Sequence, residues 1–156
     1  MKTLRLILGD QLNPGHSWFQ KKNPGVVYAM MEIRPETDYV KHHIQKLLGV
    51  LGTMRAFAKH LSSQGHSIEY FKLNDKENDH DFGKNLAQLI KKHKIEKFEY
   101  LEPDEYRVDQ VLKNAVDNLP VSTEIVSSEH FLTGRDFIKN FFGEKKPRVL
   151  KLKQGV

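Results

Sequence analysis

Apolar positions along the chain follow two rhythms: short continuous runs, and longer stretches in which they recur every three or four residues. Five runs have the length and the β-branched or aromatic content of strands: Leu4 to Gly9, Val26 to Glu32, Ser67 to Leu73, Lys97 to Glu102 and Val121 to Ser127. Between them the spacing turns helical. Across Tyr39 to Leu61 the residues Tyr39, His43, Leu47, Val50, Leu51, Met54, Phe57, Ala58 and Leu61 share one face, which predicts an amphipathic helix of about six turns. A second helix is expected over Asp81 to Lys92, with Phe82, Leu86, Leu89 and Ile90 inward. A third runs from Asp104 or Glu105 to Asn118, turning Tyr106, Val108, Val111, Leu112 and Val116 inward and stopping before Pro120. A fourth, Thr133 to Phe142, is capped by Thr133 and closed by Gly143. The first crossover is irregular: Asn13-Pro14-Gly15 and Asn23-Pro24-Gly25 are turn signals that leave room for one short helix carrying Trp18 and Phe19.

Strands alternating with helices imply βαβ units with right-handed crossovers. The expected fold is therefore α/β and doubly wound, a Rossmann-like five-stranded, mostly parallel sheet with helices on both faces. The domain is expected to occupy residues 1–143, and 144–156, EKKPRVLKLKQGV, to be a basic tail or the start of an interdomain linker.

Composition narrows the classes. A chain of 156 residues is one domain, and 38% hydrophobic residues with nine Phe, five Tyr and one Trp can fill its core. Cysteine is absent, which excludes within these residues a disulfide framework, thiolate zinc sites, cysteine-ligated iron–sulfur clusters and cysteine nucleophiles. The expected home is reducing and cytoplasmic. No run approaches the roughly 18 apolar residues that span a bilayer, so no membrane partner is expected. The net charge of +5 is spread along the helices among acids; only Lys145, Lys146, Arg148, Lys151 and Lys153 form a one-sign cluster. DNA binding through that cluster alone would be weak, sequence-independent and salt-sensitive.

In open parallel sheets ligands bind at the carboxyl ends of the strands. Three such ends are rich in hydrogen-bonding groups: Gly9-Asp10-Gln11-Leu12, then Glu32-Ile33-Arg34-Pro35-Glu36, and Glu102-Pro103-Asp104-Glu105-Tyr106-Arg107. No dinucleotide fingerprint or phosphate loop accompanies them. No Ser-His-Asp or zinc-protease signature can be assembled, and no catalytic residue is assigned. His42 and His43, neighbours about 100° apart on a helix, are poorly placed to chelate one ion, so no metal site is expected; His42 is expected to face solvent or a neighbouring segment. Taken alone, Asp10 most simply caps the turn after the first strand. Asp10, Glu32 and Glu102 also permit another reading, acid/base groups of a small α/β enzyme acting on a nucleotide or sugar, although without a nucleophile.

The opening LRLILGDQLNP, the stretch Glu36-Thr37-Asp38-Tyr39-Val40-Lys41-His42-His43 followed by Met54-Arg55-Ala56-Phe57-Ala58, and the turn Glu102-Pro103-Asp104-Glu105-Tyr106-Arg107-Val108 together resemble one family. It is the photolyase/cryptochrome superfamily, in particular the N-terminal α/β domain of its bacterial iron–sulfur, prokaryotic (6-4) photolyase-like branch. Phe131-Leu132-Thr133-Gly134-Arg135 is a weaker echo of the segment leaving that domain.

The resemblance implies an antenna-chromophore-binding domain of a photolyase-related DNA-repair flavoprotein, not catalytic alone. The chromophore it implies is a ribityllumazine. FAD and the iron–sulfur cluster would belong to a helical C-terminal region beyond these residues. That FAD-binding domain and, through the parent protein, damaged DNA are the implied partners. The implied cofactor-binding set is Gly9, Asp10, Gln11, Leu12, Glu32, Glu36, Tyr39, His43 and Glu102. Within it Gly9 would allow close approach, Asp10 and Gln11 would contact ring or chain, Glu36 would accept from the ribityl hydroxyls, and Tyr39 with His43 would form a helical floor. A purely structural module bracing a partner domain is the third reading.

Overall fold

Strands β1 (Thr3–Leu6), β2 (Val26–Met31), β3 (Ser67–Phe71), β4 (Lys97–Leu101) and β5 (Ser122–Val126) form one sheet in the order β3-β2-β1-β4-β5. Every neighbouring pair is parallel. This computed structural model describes residues 1–143; the basic tail, 144–156, lies outside the described residues. The helices are α1 (Arg34–Thr37), α2 (Ile44–Ser63), α3 (Phe82–His93), α4 (Tyr106–Val116) and α5 (Phe137–Phe142), and a 3-10 turn, Ser17–Phe19, fills the first crossover. The chain winds β1, β2, β3 to one side and then β4, β5 to the other, so the strand order reverses beside β1.

The doubly wound α/β expectation is met, with an entirely parallel sheet. Its physical basis is the alternation within the buried strands. Leu4 and Leu6 of β1 with Val27, Ala29 and Met31 of β2 pack under α3 and α4, against Leu86, Leu89 and Leu112. Val26, Tyr28 and Met30 face the other way, onto Trp18, Phe19 and the Met54, Phe57 and Leu61 side of α2. β2 is buried on both faces, which is why it reads as a continuous apolar run, whereas edge strand β5 is open to solvent through Ile125.

Several helix limits differ from the sequence pattern. α3 begins as expected, with Asp81 at the N-cap accepting the Lys84 amide at 2.8 Å. α2 begins at Ile44, not Tyr39, and His43 is its cap, Nδ1 accepting the Gln45 amide at 3.3 Å. Tyr39 and His43 therefore share no helical face. No residue of 34–43 is buried, so the extra turn would lack the packing that sustains most helices. α4 turns Val108, Asp109 and Leu112 inward and leaves Tyr106 and Val111 exposed. Tyr106 stands two residues before Val108, about 200° round the helix. α5 starts at Phe137, with Asp136 rather than Thr133 at its cap, and closes at Gly143 as expected.

Two buried polar groups sit beneath α4. The Asp109 carboxylate is engaged by Lys113 at 2.8 Å and Arg135 at 3.2 Å; burial alone would raise its pKa, and these two cations outweigh that and lower it. The Tyr100 hydroxyl, in contrast, is buried and has no hydrogen-bond partner among the described residues. A buried unsatisfied hydroxyl carries an uncompensated desolvation cost, so Tyr100→Phe is expected to stabilise the domain by about 1 kcal/mol in urea denaturation. A destabilised variant would mean that this hydroxyl makes a bond in solution.

Candidate functional site

The loop after β1 is shaped by Gln11. Its buried side chain folds back, Oε1 accepting the Leu8 amide at 3.0 Å while Nε2 donates to the Glu102 carbonyl at 3.1 Å and, more weakly, to that of Leu101 at 3.4 Å. Gln11 thus stitches the end of β1 to the end of β4. Gly9 and Asp10 are left at the edge of a cavity of about 250 Å³ above the carboxyl ends of β1 and β2.

The cavity is apolar inside and polar at its mouth. Ile7, Leu8, Met31 and Ile33 come from the strand ends, Leu47, Val50, Leu51 and Met54 from α2, and Phe82 and Val108 from the opposite face. Asp10, Glu36, Tyr39, His42, Lys46 and Glu105 ring the opening. At Gly9 a Cβ would lie 3.0 Å from the Met54 sulfur and 3.5 Å from Val50 Cγ1, so the glycine lets backbone form part of the wall.

The carboxylates differ in their freedom. Glu32 has no exposed side-chain surface, and its oxygens accept from Arg55 Nε at 2.7 Å and Nη2 at 2.8 Å, the Tyr70 hydroxyl at 2.7 Å and the Leu73 amide at 2.9 Å. Burial pushes its pKa up, but the Arg55 fork, Tyr70 and Leu73 together bring it below the ordinary glutamate value. Asp10 stands at the rim with much of its side chain in solvent. Partial desolvation in the concave mouth, then the negative charges of Asp104 and Glu105, raise its pKa, against its own backbone hydrogen bond and His130. Glu36 is held by Arg107, whose Nη1 and Nη2 donate to its two oxygens at 2.9 and 2.8 Å.

Of the residues singled out in the sequence, Gly9, Asp10, Glu32, Glu36 and Tyr39 come together around this cavity. Gln11 lies behind its wall as the clamp just described. Leu12 lies on a shallow hollow with Pro14, Phe57 and His60. Glu102 faces a separate hollow with Ser127, Phe131 and Arg135, so the carboxylates of Asp10, Glu32 and Glu102 do not share one site. His43 caps α2, and the histidine at the mouth is His42, half-buried and edge-on to Tyr39 at 5.0 Å between ring centroids. The α2 wall, Phe82 and Val108 were legible only as core positions, Lys46 was not singled out, and Glu105 and Arg107 stood out only as members of a polar strand end, outside the implied cofactor-binding set. Glu105 and Arg107 do lie in the Glu-Pro-Asp-Glu-Tyr-Arg turn, whose density of charge at a strand end is the signal that points to them.

A model of the family described as deoxyribodipyrimidine photo-lyase-related protein matches residues 5–151. The chain belongs to that family. Among curated proteins, this photolyase-related chain is similar to the (6-4) photolyase of Agrobacterium fabrum, 28% identical over 154 residues. The alignment covers 97% of this chain and 30% of that photolyase, so the photolyase-related chain spans under a third of its relative's length. Among the described residues no three or more His, Cys, Asp or Glu side chains are grouped to hold a metal ion, and no helix is long and apolar enough to cross a membrane.

Proposed function

We propose that this photolyase-related domain binds the antenna chromophore of a DNA-repair flavoprotein, and that the chromophore is a flat heterocycle with a ribityl chain, of the ribityllumazine type. One observation carries the reading: an apolar slot at the carboxyl ends of β1 and β2 opens onto a carboxylate rim. A planar ring suits the slot between the strand ends and α2, and a polyol tail suits a rim of acceptors. Each Glu36 oxygen keeps lone-pair capacity beyond its bond to Arg107, so it can also accept from a ribityl hydroxyl. Asp10 offers a second acceptor across the mouth. When bound, such a chromophore would absorb light and pass the excitation to a flavin.

The domain is proposed to be catalytically silent by itself. FAD and an iron–sulfur cluster belong, in this reading, to a helical C-terminal region of the parent protein, since this chain has no cysteine to ligate a cluster. Damaged DNA would be met through that parent.

Titration with ribityllumazine, followed by its fluorescence, tests the reading. Saturable binding is expected for wild type, with Glu36→Ala and Asp10→Ala each weakened. Losing one charge-assisted hydrogen bond costs about 1.5–3 kcal/mol, one to two decades in affinity. Absence of saturable binding at high micromolar ligand, in the full-length parent as well, would overturn the antenna role and favour the bracing module.

A further inference from the structure

Residues 34–43 cross the mouth of the cavity without one buried side chain. Their hydrogen bonds are local. The Glu36 amide donates to Ile33, the Asp38 amide to Arg34 at 2.8 Å, and the Thr37 hydroxyl to Arg34 and Asp38. His42 and His43 reach no further along the chain than Leu47. Among the described residues, a single side chain from elsewhere in the fold makes hydrogen bonds to this segment, and it is Arg107 near the start of α4.

The geometry of that contact is specific. The guanidinium holds Glu36 with two parallel bonds, donates from Nε to Glu105 at 2.7 Å, and lies 4.2 Å over the Tyr39 ring. An isolated exposed ion pair contributes little. This one is bidentate, braced from its own helix by Glu105 and stacked on an aromatic face, so the planar fork is already oriented when Glu36 arrives.

We infer that residues 34–43 form a strap over the cavity and that Arg107 is its latch, a positioning residue that fixes the Glu36 carboxylate at the mouth and governs entry and release of the ligand. The ligand half of this inference rests on the antenna reading above; the latch half does not. Breaking the latch frees a segment that has no other long-range hydrogen bond among the described residues, and local opening follows without global unfolding. Both ligand rates then rise. The dissociation rate rises more, because Glu36 is no longer held in place. Lysine keeps the charge but neither the fork nor the stack, so Arg107→Lys restores little of the effect.

The test compares wild type with Arg107→Gln, Arg107→Lys and Glu36→Gln in the full chain, by hydrogen exchange without ligand and by stopped-flow fluorescence with ribityllumazine. The expected result for Arg107→Gln is at least tenfold faster exchange at the Glu36 and Asp38 amides with unchanged protection across α3. Association should be faster, and dissociation at least tenfold faster. A variant that merely damaged the fold would lose α3 protection and bind more slowly; Glu36→Gln then opens the same latch from its other side. Unchanged exchange at Glu36 and Asp38 in Arg107→Gln and Glu36→Gln overturns the latch whatever the ligand does. Faster exchange in a protein whose wild type binds no lumazine supports the latch and removes the chromophore reading. Faster exchange with wild-type ligand rates removes Arg107 from control of binding.

Discussion

Glu32→Ala is expected to destabilise the domain by about 3 kcal/mol in urea denaturation, through the buried donors that it strands. The Glu32 carboxylate is fully enclosed and satisfies Arg55, the Tyr70 hydroxyl and the Leu73 amide at once. Arg55, half-exposed, can turn to water when its partner is lost, but the Tyr70 hydroxyl and the Leu73 amide have less freedom to do so. The effect has a defined pH dependence. The Glu32 pKa is lowered in the folded state, so its contribution is present above the unfolded glutamate value near 4.5 and is lost as pH falls below that through the lower folded value. Glu32→Gln removes this carboxylate's share of the acid sensitivity and should flatten the stability profile below about pH 4.5. Glu69, Glu99 and Asp109, whose pKa values are also lowered by ion-pair partners, and Glu129, lowered first by its hydrogen bond from Ser17, keep their own shares. An alanine variant within about 0.5 kcal/mol of wild type, the range of a neutral surface substitution, would show that the network contributes no net stability.

The same residue shows how far the sequence could be read. Glu32 stood out because it closes an apolar strand at the end where ligands bind, and the structure does place it beside the cavity. Nothing local could reveal that Arg55, a helix away, and Tyr70, on the next strand, would converge on it, since pairings of that kind exist only after the sheet has formed. The strands were legible for the opposite reason: β2 is buried on both faces and reads as a continuous apolar run, while β1 and β4 keep apolar residues at most of their positions around Arg5 and Glu99, which pair with each other across the two strands. The start of α2 was hidden by periodicity itself. Tyr39, His43 and Leu47 keep helical spacing although the chain turns at 38–43, and the cap is a histidine rather than the Ser, Thr, Asp or Asn that usually marks a helix start. In consequence residues 39–43 read as the first turn of the helix, and Arg107 read as one charge in a strand end rich in hydrogen-bonding groups, with nothing to pair it with Glu36. Of the residues expected inward on α4, Val108, Leu112 and Val116 do pack on the core, together with Ala115; Tyr106 and Val111 fall off that face and stay exposed, and Asp109 lies on it because Lys113 and Arg135 pair its carboxylate.

Gly9→Val is expected to abolish measurable ribityllumazine binding, at least a hundredfold loss in affinity, while the domain still folds. A Cβ at this position meets Met54 Sδ at 3.0 Å and Cγ at 3.6 Å, and Met54 is buried against the far side of the sheet. A single methyl group, as in Gly9→Ala, is accommodated because methionine is flexible, and its displacement narrows the slot only slightly. Valine adds two further carbons that a β-branched side chain cannot fold away, and they compete for a cavity of only about 250 Å³. Overpacking of this kind costs the fold about 1–3 kcal/mol, which urea denaturation measures separately from ligand affinity. The graded series from glycine through alanine to valine therefore reads the wall of the slot directly, whereas Glu36→Ala reads the rim. If the valine variant binds as tightly as wild type, the heterocycle does not lie against Gly9, and the apolar slot above β1 and β2 is not its site. If alanine already abolishes binding with the fold intact, the ring must press on the backbone of Gly9 itself, a closer approach than a slot shaped mainly by Met54 and Val50 requires.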